Sequence, residues 1–315
     1  MNRRNFLASS FAAAPLCAIL NACGKTPAGK LRLALDWKPE PEFGGFYAAN
    51  YANHGLTVDI LPGGSGTPTV QMIGAGSAEF GTVSADELVV ARARGNDVVA
   101  LFAVFQNCPQ GIMVHPSPNM NSIGDVFRSG TVAIERGLPY ARILEKKYGF
   151  DKVKIVPSPG GDIRAFLHVP HFAQQCFVTS EPLAAMHAGV ATKVFPISDS
   201  GYNPYTTVLA TSGALLRDHP ATARAMVEAV REGWQSYLAS PTATNANMHG
   251  VNPSMDLATF AEVAEAQKPW IQTADTATNG LGTMTAARWD TLIAQLKDLG
   301  DISQPMNAAE CFRLL

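Results

Sequence analysis

Short apolar segments alternate with helical patterns along most of the chain, and this alternation constrains the fold more than any other feature. The clearest strand pattern is the unbroken apolar run at 98–105, which follows a helical pattern at 86–94. Such alternation predicts parallel β-sheets covered by helices. Because 47% of the 315 residues are apolar and only 16% are charged, the chain can bury a large core. We therefore expect an ordered α/β protein.

The strand and helix patterns fall into two series, which predicts two lobes. A second series begins near residue 110, and a return strand at 207–211 leads into a mainly helical remainder. Ligands of such folds lie at the carboxyl ends of strands, facing the other lobe. The expected division is residues 31–107 and 208–315 for lobe 1 with the C-terminal helices, and residues 108–207 for lobe 2.

Residues 1–22 have the pattern of a signal peptide. Arg3 and Arg4 precede an uncharged run that ends at Ala22 and is interrupted by Pro15. The interruption and the many small residues favour cleavage over a membrane anchor. The paired arginines resemble a twin-arginine export signal, although Asn2 stands where Ser or Thr is usual. The general secretory route and the twin-arginine route both stay open.

The end of this segment, Leu20-Asn21-Ala22-Cys23, resembles a bacterial lipobox. Small Ala22 suits the cleavage position, and the Cys23 thiol would then be acylated. Residues 23–30 would form a lipid-anchored tether, which predicts a periplasmic or extracytoplasmic membrane location.

Three cysteines remain in the body of the chain, and their spacing fits no metal site: Cys108, Cys176 and Cys311. One disulfide among them and three buried thiols are both compatible with the sequence. His168 and His171 stand three residues apart, but Pro170 between them disfavours a helical metal pair. We expect neither a metal nor a cofactor.

The loop after the first strand is the strongest candidate for a ligand site. Asp36, Trp37, Glu40 and Phe43 lie where a strand ends and a helix begins. An indole can stack on a flat ligand while carboxylates accept hydrogen bonds from its amino groups. The alternative is that Trp37 packs in the core and the acids complement a helix start.

A glycine-rich turn and a serine are further candidates in lobe 1. Gly64 and Ser65 follow the second strand, so backbone N–H groups there could bind an anion or a carbonyl. The spacing matches neither a phosphate-binding P-loop nor a dinucleotide motif, and a plain turn is equally compatible. Ser84, at the end of the third strand, is a candidate of the same kind.

In lobe 2 the candidate residues follow strands or lie near the return crossover. Glu181 directly precedes Pro182 at a helix start, where it would face the cleft or complement the helix dipole. Tyr202 and Tyr205 would cover a bound ring or pad the hinge. The complete set of candidates in this lobe is Glu135, Gly160, Gly161, Glu181, Tyr202 and Tyr205.

Several segments together resemble periplasmic substrate-binding proteins of the thiamine-pyrimidine-precursor (ThiY-like) type, relatives of the sulfonate and nitrate binders. They are residues 35–49 (LDWKPEPEFGGFYAA), 71–81 (QMIGAGSAEFG), 91–95 (ARARG), 180–182 (SEP) and 201–205 (GYNPY). Glu40 and Phe43 depart from the family pattern, in which Asn and His are common. The resemblance implies a type II two-lobed binding fold, a ligand in the interlobe cleft contacted by Glu181, an inner-membrane ABC permease as partner, and a monomer.

The sequence therefore favours a receptor that binds a small heteroaromatic solute by cleft closure, without catalysis. A flavin fits the acids and aromatic residues nearly as well as a thiamine pyrimidine precursor. Sulfonate or nitrate is a weaker alternative because the candidate contacts are acidic and the formal net charge is −2. That charge also gives no reason to expect nucleic acid as a partner. An enzyme similar to fungal pyrimidine synthases is disfavoured because the chain lacks clustered cysteines and begins with an export signal.

Overall fold

The computed structural model describes residues 29–315, whose strands form two five-stranded sheets. The predicted signal peptide, Cys23 and most of the tether fall within residues 1–28, outside the described residues. The strands are β1 Leu31–Ala34, β2 Val58–Leu61, β3 Phe80–Val83, β4 Val98–Phe105, β5 Gln110–Val114, β6 Thr131–Ala133, β7 Lys154–Val156, β8 Phe172–Phe177, β9 Lys193–Pro196 and β10 Thr206–Ser212.

Helices connect the strands and make up most of the chain after β10. They are α1 Gly44–Ala48, α2 Thr69–Gly74, α3 Ala85–Ala93, α4 Ile123–Val126, α5 Pro139–Tyr148, α6 Arg164–His168, α7 Glu181–His187, α8 Gly213–Asp218, α9 Pro220–Ala239, α10 Thr242–Val251, α11 Leu257–Ala266, α12 Lys268–Ile271, α13 Ala274–Asn279, α14 Ala286–Asp298 and α15 Ala308–Cys311. Short 3₁₀ segments cover Pro41–Phe43, Tyr51–His54 and Ile197–Ser200.

The first sheet has the order β2-β1-β3-β10-β4. Strand β1 pairs in parallel with β2 and β3, whereas β10 runs antiparallel to β3 and β4. All eight residues of β4 are buried, as expected for a strand covered on both faces. This explains why the sequence there is apolar without alternation.

The second sheet has the order β7-β6-β8-β5-β9. Strand β6 pairs in parallel with β7 and β8, and β5 runs antiparallel to β8 and β9. The expectation of parallel sheets was therefore wrong in part. In each sheet one strand runs against its neighbours: β10 returns to the first sheet, and β5 enters the second directly from β4.

The two-lobed α/β arrangement predicted from the alternation is present, with one sheet in each lobe. The strand predicted at 98–105 is confirmed residue for residue. Residues 41–54 do not form a single helix but are divided between α1 and two 3₁₀ segments. Gly44 and Gly45 there pack directly against Tyr237 and Trp234 of α9, so close helix contact rather than helix propensity shapes the segment.

The three cysteines of the described chain are buried and carry free thiols: Cys108, Cys176 and Cys311. Between residues 29 and 315, no helix combines the length and apolarity needed to span a membrane.

Candidate functional site

A cavity of about 570 Å³ lies between the two sheets, and residues of both lobes line it. Its walls are built where strands end. Asp36 follows β1, Ser65 follows β2 and Ser84 follows β3; on the other side Glu135 follows β6 and Glu181 follows β8. Carboxyl ends of strands are the usual ligand-binding edge of open α/β sheets. The topology therefore gathers side chains that are distant in sequence around one cleft.

Most of the residues predicted from the sequence reach this cleft, and three do not. Those that line it are Asp36, Trp37, Glu40, Ser65, Ser84, Glu135, Gly161, Glu181 and Tyr202, and Gly160 lines it as well. Phe43, Gly64 and Tyr205 lie outside its lining.

Each of the three is engaged elsewhere. Phe43 is only 1% exposed and packs in the core of the first lobe. Gly64 closes a local turn, since its N–H donates to Thr67 Oγ1 at 2.8 Å. The buried Tyr205 hydroxyl accepts a hydrogen bond from the Thr285 N–H at 3.0 Å. These three residues therefore serve the packing of the fold rather than the cleft wall.

Trp37 reaches across the cleft to a glycine turn of the second lobe. A Cβ on Gly160 would lie 3.8 Å from Cη2 of Trp37, and one on Gly161 would lie 3.9 Å from Cζ2. Both glycines have positive φ, 63° and 90°, which disfavours any side chain there. The same Cβ on Gly161 would lie 3.6 Å from Oε1 of Glu181. An indole, a glycine turn and a carboxylate from the two lobes thus converge at one point.

Acidic side chains outnumber basic ones in the lining of the cleft, where Arg94 and Arg142 are the arginines. The sequence patterns indicate only some of these acids. Seven acidic side chains near the strand ends line the cleft: Asp36, Glu40, Glu42, Asp86, Glu87, Glu135 and Glu181. Glu42, Asp86 and Glu87 had not been predicted. Asp86 and Glu87 resemble an ordinary acidic first helical turn in sequence. Glu42 and Phe43 are neighbours in a 3₁₀ segment, and only the structure shows that Glu42 is the one that faces the cleft.

Hydrogen bonds hold several of these carboxylates in place. Asp36 pairs with the Thr82 hydroxyl, and the Asp36 N–H donates to Thr82 Oγ1 at 3.0 Å. The Tyr202 hydroxyl donates to Asp86 Oδ2 at 2.7 Å, which explains why this buried tyrosine lies at the cleft floor. Glu181 Oε2 accepts from the Phe177 N–H at 2.8 Å.

Glu135 belongs to a small network with two further cleft residues. Gln175 Oε1 accepts from the Glu135 N–H at 2.7 Å and from the Tyr140 hydroxyl at 2.6 Å, and Gln175 Nε2 donates to Glu135 Oε2 at 3.4 Å. These contacts fix the positions of acceptors that face the cleft.

Burial raises the pKa of carboxyl groups at the centre of the cleft, because the charged form loses hydration there. The pKa of Glu181 rises to about 7 for this reason. Burial also raises the pKa of Glu42 well above its usual range, and charge repulsion from three neighbours adds to the rise: Glu40, Asp36 and Glu181. Near neutral pH the cleft therefore holds carboxyl groups that carry protons.

This arrangement predicts a pH dependence of stability. A carboxyl group with a raised pKa in the folded state stabilises the fold below its unfolded pKa, and that contribution is lost as the pH rises through the folded pKa. We expect the melting temperature of the ligand-free protein to fall from about pH 5 to about pH 8. Acids with a lowered pKa, such as Asp162 at about 2, stay ionised throughout this window and do not mask the effect.

Glu42→Gln tests the origin of this dependence. The substitution removes a carboxyl group that three others repel, so we expect a higher melting temperature than in the wild type at about pH 8 and little difference at about pH 5. Asp290→Asn, on the exposed surface of α14, is the matched control and should follow the wild-type curve. Equal melting curves for Glu42→Gln and the wild type at every pH would contradict this assignment.

The chemistry of the cleft suits recognition. Two thiols line it, Cys108 and Cys176. Burial raises the pKa of Cys108 to about 11 and that of Cys176 well above its usual range, so both are held as neutral thiols rather than nucleophilic thiolates. Among residues 29–315, no group of three or more His, Cys, Asp or Glu is arranged to hold a metal ion. What the lining offers is an indole face and a set of fixed hydrogen-bond acceptors.

Comparison with known proteins finds proteins similar to this chain both in sequence and in structure. The chain is 23% identical to the riboflavin-binding protein RibY of Chloroflexus aurantiacus over 304 residues, which cover 90% of this chain and 84% of that protein. Its structure is similar to the periplasmic aliphatic sulphonate binding protein SsuA of Escherichia coli, with a TM-score of 0.66, 13% identity and coverage of 89% and 91% of the two chains. The alkanesulfonate-binding protein SsuA of Xanthomonas axonopodis pv. citri gives a TM-score of 0.64 at 10% identity, covering 91% of this chain and 98% of that one.

At these identities the structural likeness establishes the fold, which is the two-lobed periplasmic binding protein fold predicted from the sequence. The sequence profile of the family described as NMT1/THI5 like matches residues 40–244, which is more than half of the chain. The protein therefore belongs to the NMT1/THI5-like family.

Proposed function

We propose that this protein is an extracytoplasmic solute-binding receptor of an ABC import system that captures a small heteroaromatic ligand by cleft closure, without catalysis. The observation that carries the proposal is the convergence of Trp37, the Gly160-Gly161 turn and Glu181 across the cleft. An indole beside fixed carboxyl groups offers stacking together with directional hydrogen bonds. The likeness to binding proteins of the same fold supports this function.

The charge of the cleft indicates which ligands it takes. Its carboxyl groups accept hydrogen bonds from ring amino or imide N–H groups, and in the protonated form they also donate to ring nitrogens or carbonyls. A sulfonate or nitrate has no ring N–H group to donate to these acceptors, and those acids of the wall that are ionised repel anions. The cleft therefore favours a neutral or amino-bearing ring over the anions that the two SsuA proteins are named for.

Two ring systems fit this description. A thiamine pyrimidine precursor is supported by the resemblance of the 35–49 and 180–182 segments to ThiY-like proteins. A flavin is the second candidate, and the cavity of about 570 Å³ favours it because that volume is typical of sites for drug-sized ligands rather than single rings. The relationship to RibY supports the flavin as well.

The receptor would be anchored through its N-terminus and would close as two rigid lobes. Cleavage before Cys23 and acylation of its thiol would tether the receptor to the outer face of the membrane, where a permease would accept the closed, loaded form. Residues 31–107 and 208–315 would move as one lobe and residues 108–207 as the other. The monomer is the expected state of the receptor.

The test is a thermal-shift and calorimetry screen of the chain that begins at Gly24. The ligands are an aminopyrimidine, thiamine, riboflavin, an alkanesulfonate and nitrate. A true ligand at a hundred times its dissociation constant stabilises the native state by about 2.7 kcal/mol. Stabilisation by an aminopyrimidine or by riboflavin supports the proposal and chooses between the two rings. Stabilisation by the anions alone, or by none of the five compounds, would overturn the proposal that the ligand is heteroaromatic.

A further inference from the structure

Two segments connect the lobes: the outgoing crossover, residues 106–109, between β4 and β5, and the return crossover, residues 201–205, before β10. They are hydrogen-bonded to each other. Asn203, in the return crossover, is the centre of this contact. Its Oδ1 accepts from the Cys108 N–H at 2.7 Å, and its Nδ2 donates to Asn107 Oδ1 at 3.1 Å. The outgoing and return crossovers are thus linked by hydrogen bonds and form one hinge rather than two independent connections.

Arg288, on α14, binds both crossovers at once. Its Nε donates to the Asn203 carbonyl at 2.8 Å, and its Nη2 donates to Asn203 Oδ1 at 3.1 Å and to the Pro204 carbonyl at 3.3 Å. Its Nη1 donates to the Gln106 carbonyl of the outgoing crossover. The planar fork of an arginine allows one side chain to make several such bonds in fixed directions.

The guanidinium is partly buried, and no carboxylate of the described chain lies within ion-pair distance of it. Asp275 is an acid that acts on it at longer range. Its charge is stabilised by backbone carbonyls and by the ring of Tyr205, whose centroid is 4.0 Å from Cζ. A partly buried cation with no acid in direct contact loses hydration that other polar groups must replace. Its hydrogen bonds to the crossovers are what offset this loss.

The second residue of β10, just after the return crossover, is strained. Thr207 has φ of 51°, although it is β-branched and buried, and it lines the cleft. Such a conformation is unfavourable for a β-branched residue and persists only where the surrounding structure enforces it. The segment that Arg288 contacts, Asn203 to Tyr205, ends two residues before Thr207.

We infer that Arg288 is the positioning residue of the hinge: by holding both crossovers together it sets the relative orientation of the two lobes and of the cleft-floor residues Tyr202 and Cys108. Arg288 lies outside the lining of the cleft, so it acts on the ligand through the backbone it holds. The inference rests on the proposed function only for its effect on affinity. Its effect on lobe orientation is independent of any ligand.

The experiment measures the distance between the lobes in solution. Ala52→Cys and Lys152→Cys place one exposed cysteine on each lobe for spin labelling, and the three native thiols of the described chain are buried. Distance distributions from pulsed electron paramagnetic resonance are compared for the parent, Arg288→Lys, Arg288→Ala and the matched control Arg231→Ala. Arg231 lies on α9 and donates to the Leu281 carbonyl at 3.4 Å, away from both crossovers.

We expect a broader interlobe distribution for Arg288→Ala, a partial broadening for Arg288→Lys, and the parent distribution for Arg231→Ala. Binding of whichever ring the screen identifies should weaken at least tenfold in Arg288→Ala. A lower melting temperature with an unchanged distribution in the folded protein would mean that Arg288 only stabilises the fold, and would overturn the inference. If Arg288→Ala does not fold, Asn203→Ala is the variant that tests the inference. It removes the side-chain hydrogen bonds between the crossovers, so the inference requires a broader interlobe distribution for this variant as well. Failure of every ligand would overturn the proposed function but leave the distance measurement valid.

Discussion

Replacing Trp37 with alanine is expected to weaken binding of the heteroaromatic ligand by about 100-fold. Covering an aromatic face with a ligand removes apolar surface from water, and burial of a large side chain contributes about 1.5–3 kcal/mol. A stacked pair adds about 0.5–1.5 kcal/mol to that. Since about 1.4 kcal/mol corresponds to a factor of ten in affinity, these contributions account for two orders of magnitude. Isothermal titration calorimetry with the ring identified by the screen measures the change.

Two further variants separate stacking from general loss of packing. Trp37→Phe keeps an aromatic face and should retain most of the affinity. Tyr148→Ala truncates another half-buried aromatic residue, which stacks on Phe127 in the second lobe at 6.0 Å and does not line the cavity. It should lower stability and leave affinity within about twofold of the wild type. Unchanged ligand affinity in Trp37→Ala would show that Trp37 is not part of the ligand site.

Gly233→Ala is expected to destabilise the protein by about 2 kcal/mol, even though alanine is intrinsically the better helix former by about 1 kcal/mol. A Cβ at this position of α9 would lie 2.2 Å from the carbonyl oxygen of Gly45 and 2.8 Å from the Ala49 nitrogen. Both are backbone atoms of α1 or its end, so no side-chain rotation relieves the overlap, and overpacking of this kind costs about 1–3 kcal/mol or more. Differential scanning calorimetry should show a melting temperature lower by about 5 °C.

Gly250→Ala is the matched control, because it adds the same methyl group inside a helix where no atom lies within 4 Å. Here only helix propensity acts, so the melting temperature should stay the same or rise. A loss of stability equal to that of Gly233→Ala would show that the effect does not come from the α1–α9 contact. Because α1 directly follows the loop that carries Trp37 and Glu42, Gly233→Ala should also weaken ligand binding.

The class of fold could be predicted from the sequence because its local apolar and helical patterns agree with the strands and helices of the tertiary structure. The unbroken apolar run of β4 predicts a strand buried on both faces, and the structure has such a strand with the same bounds. The loop from Asp36 to Glu40 and the Glu181-Pro182 helix start were found because strand ends in α/β sheets face a common edge. Strand direction was less predictable: the reversed strands β5 and β10 depend on where the chain crosses between lobes, which no local pattern encodes.

Only the tertiary structure decided which neighbouring side chains face the cleft. Glu42 and Phe43 are adjacent, and a short 3₁₀ segment directs the acid to the cavity and the phenylalanine to the core. Tyr202 and Tyr205 have similar sequence surroundings but different partners. Tyr202 is hydrogen-bonded to Asp86 at the cleft floor. Tyr205 contacts Arg288 and Thr285 at the hinge. The sequence by itself thus determined the two-lobed α/β fold and the loops that border its cleft. The composition of the cleft wall came from packing between segments far apart in the chain, because the direction of a side chain at a strand end is set by its long-range partners.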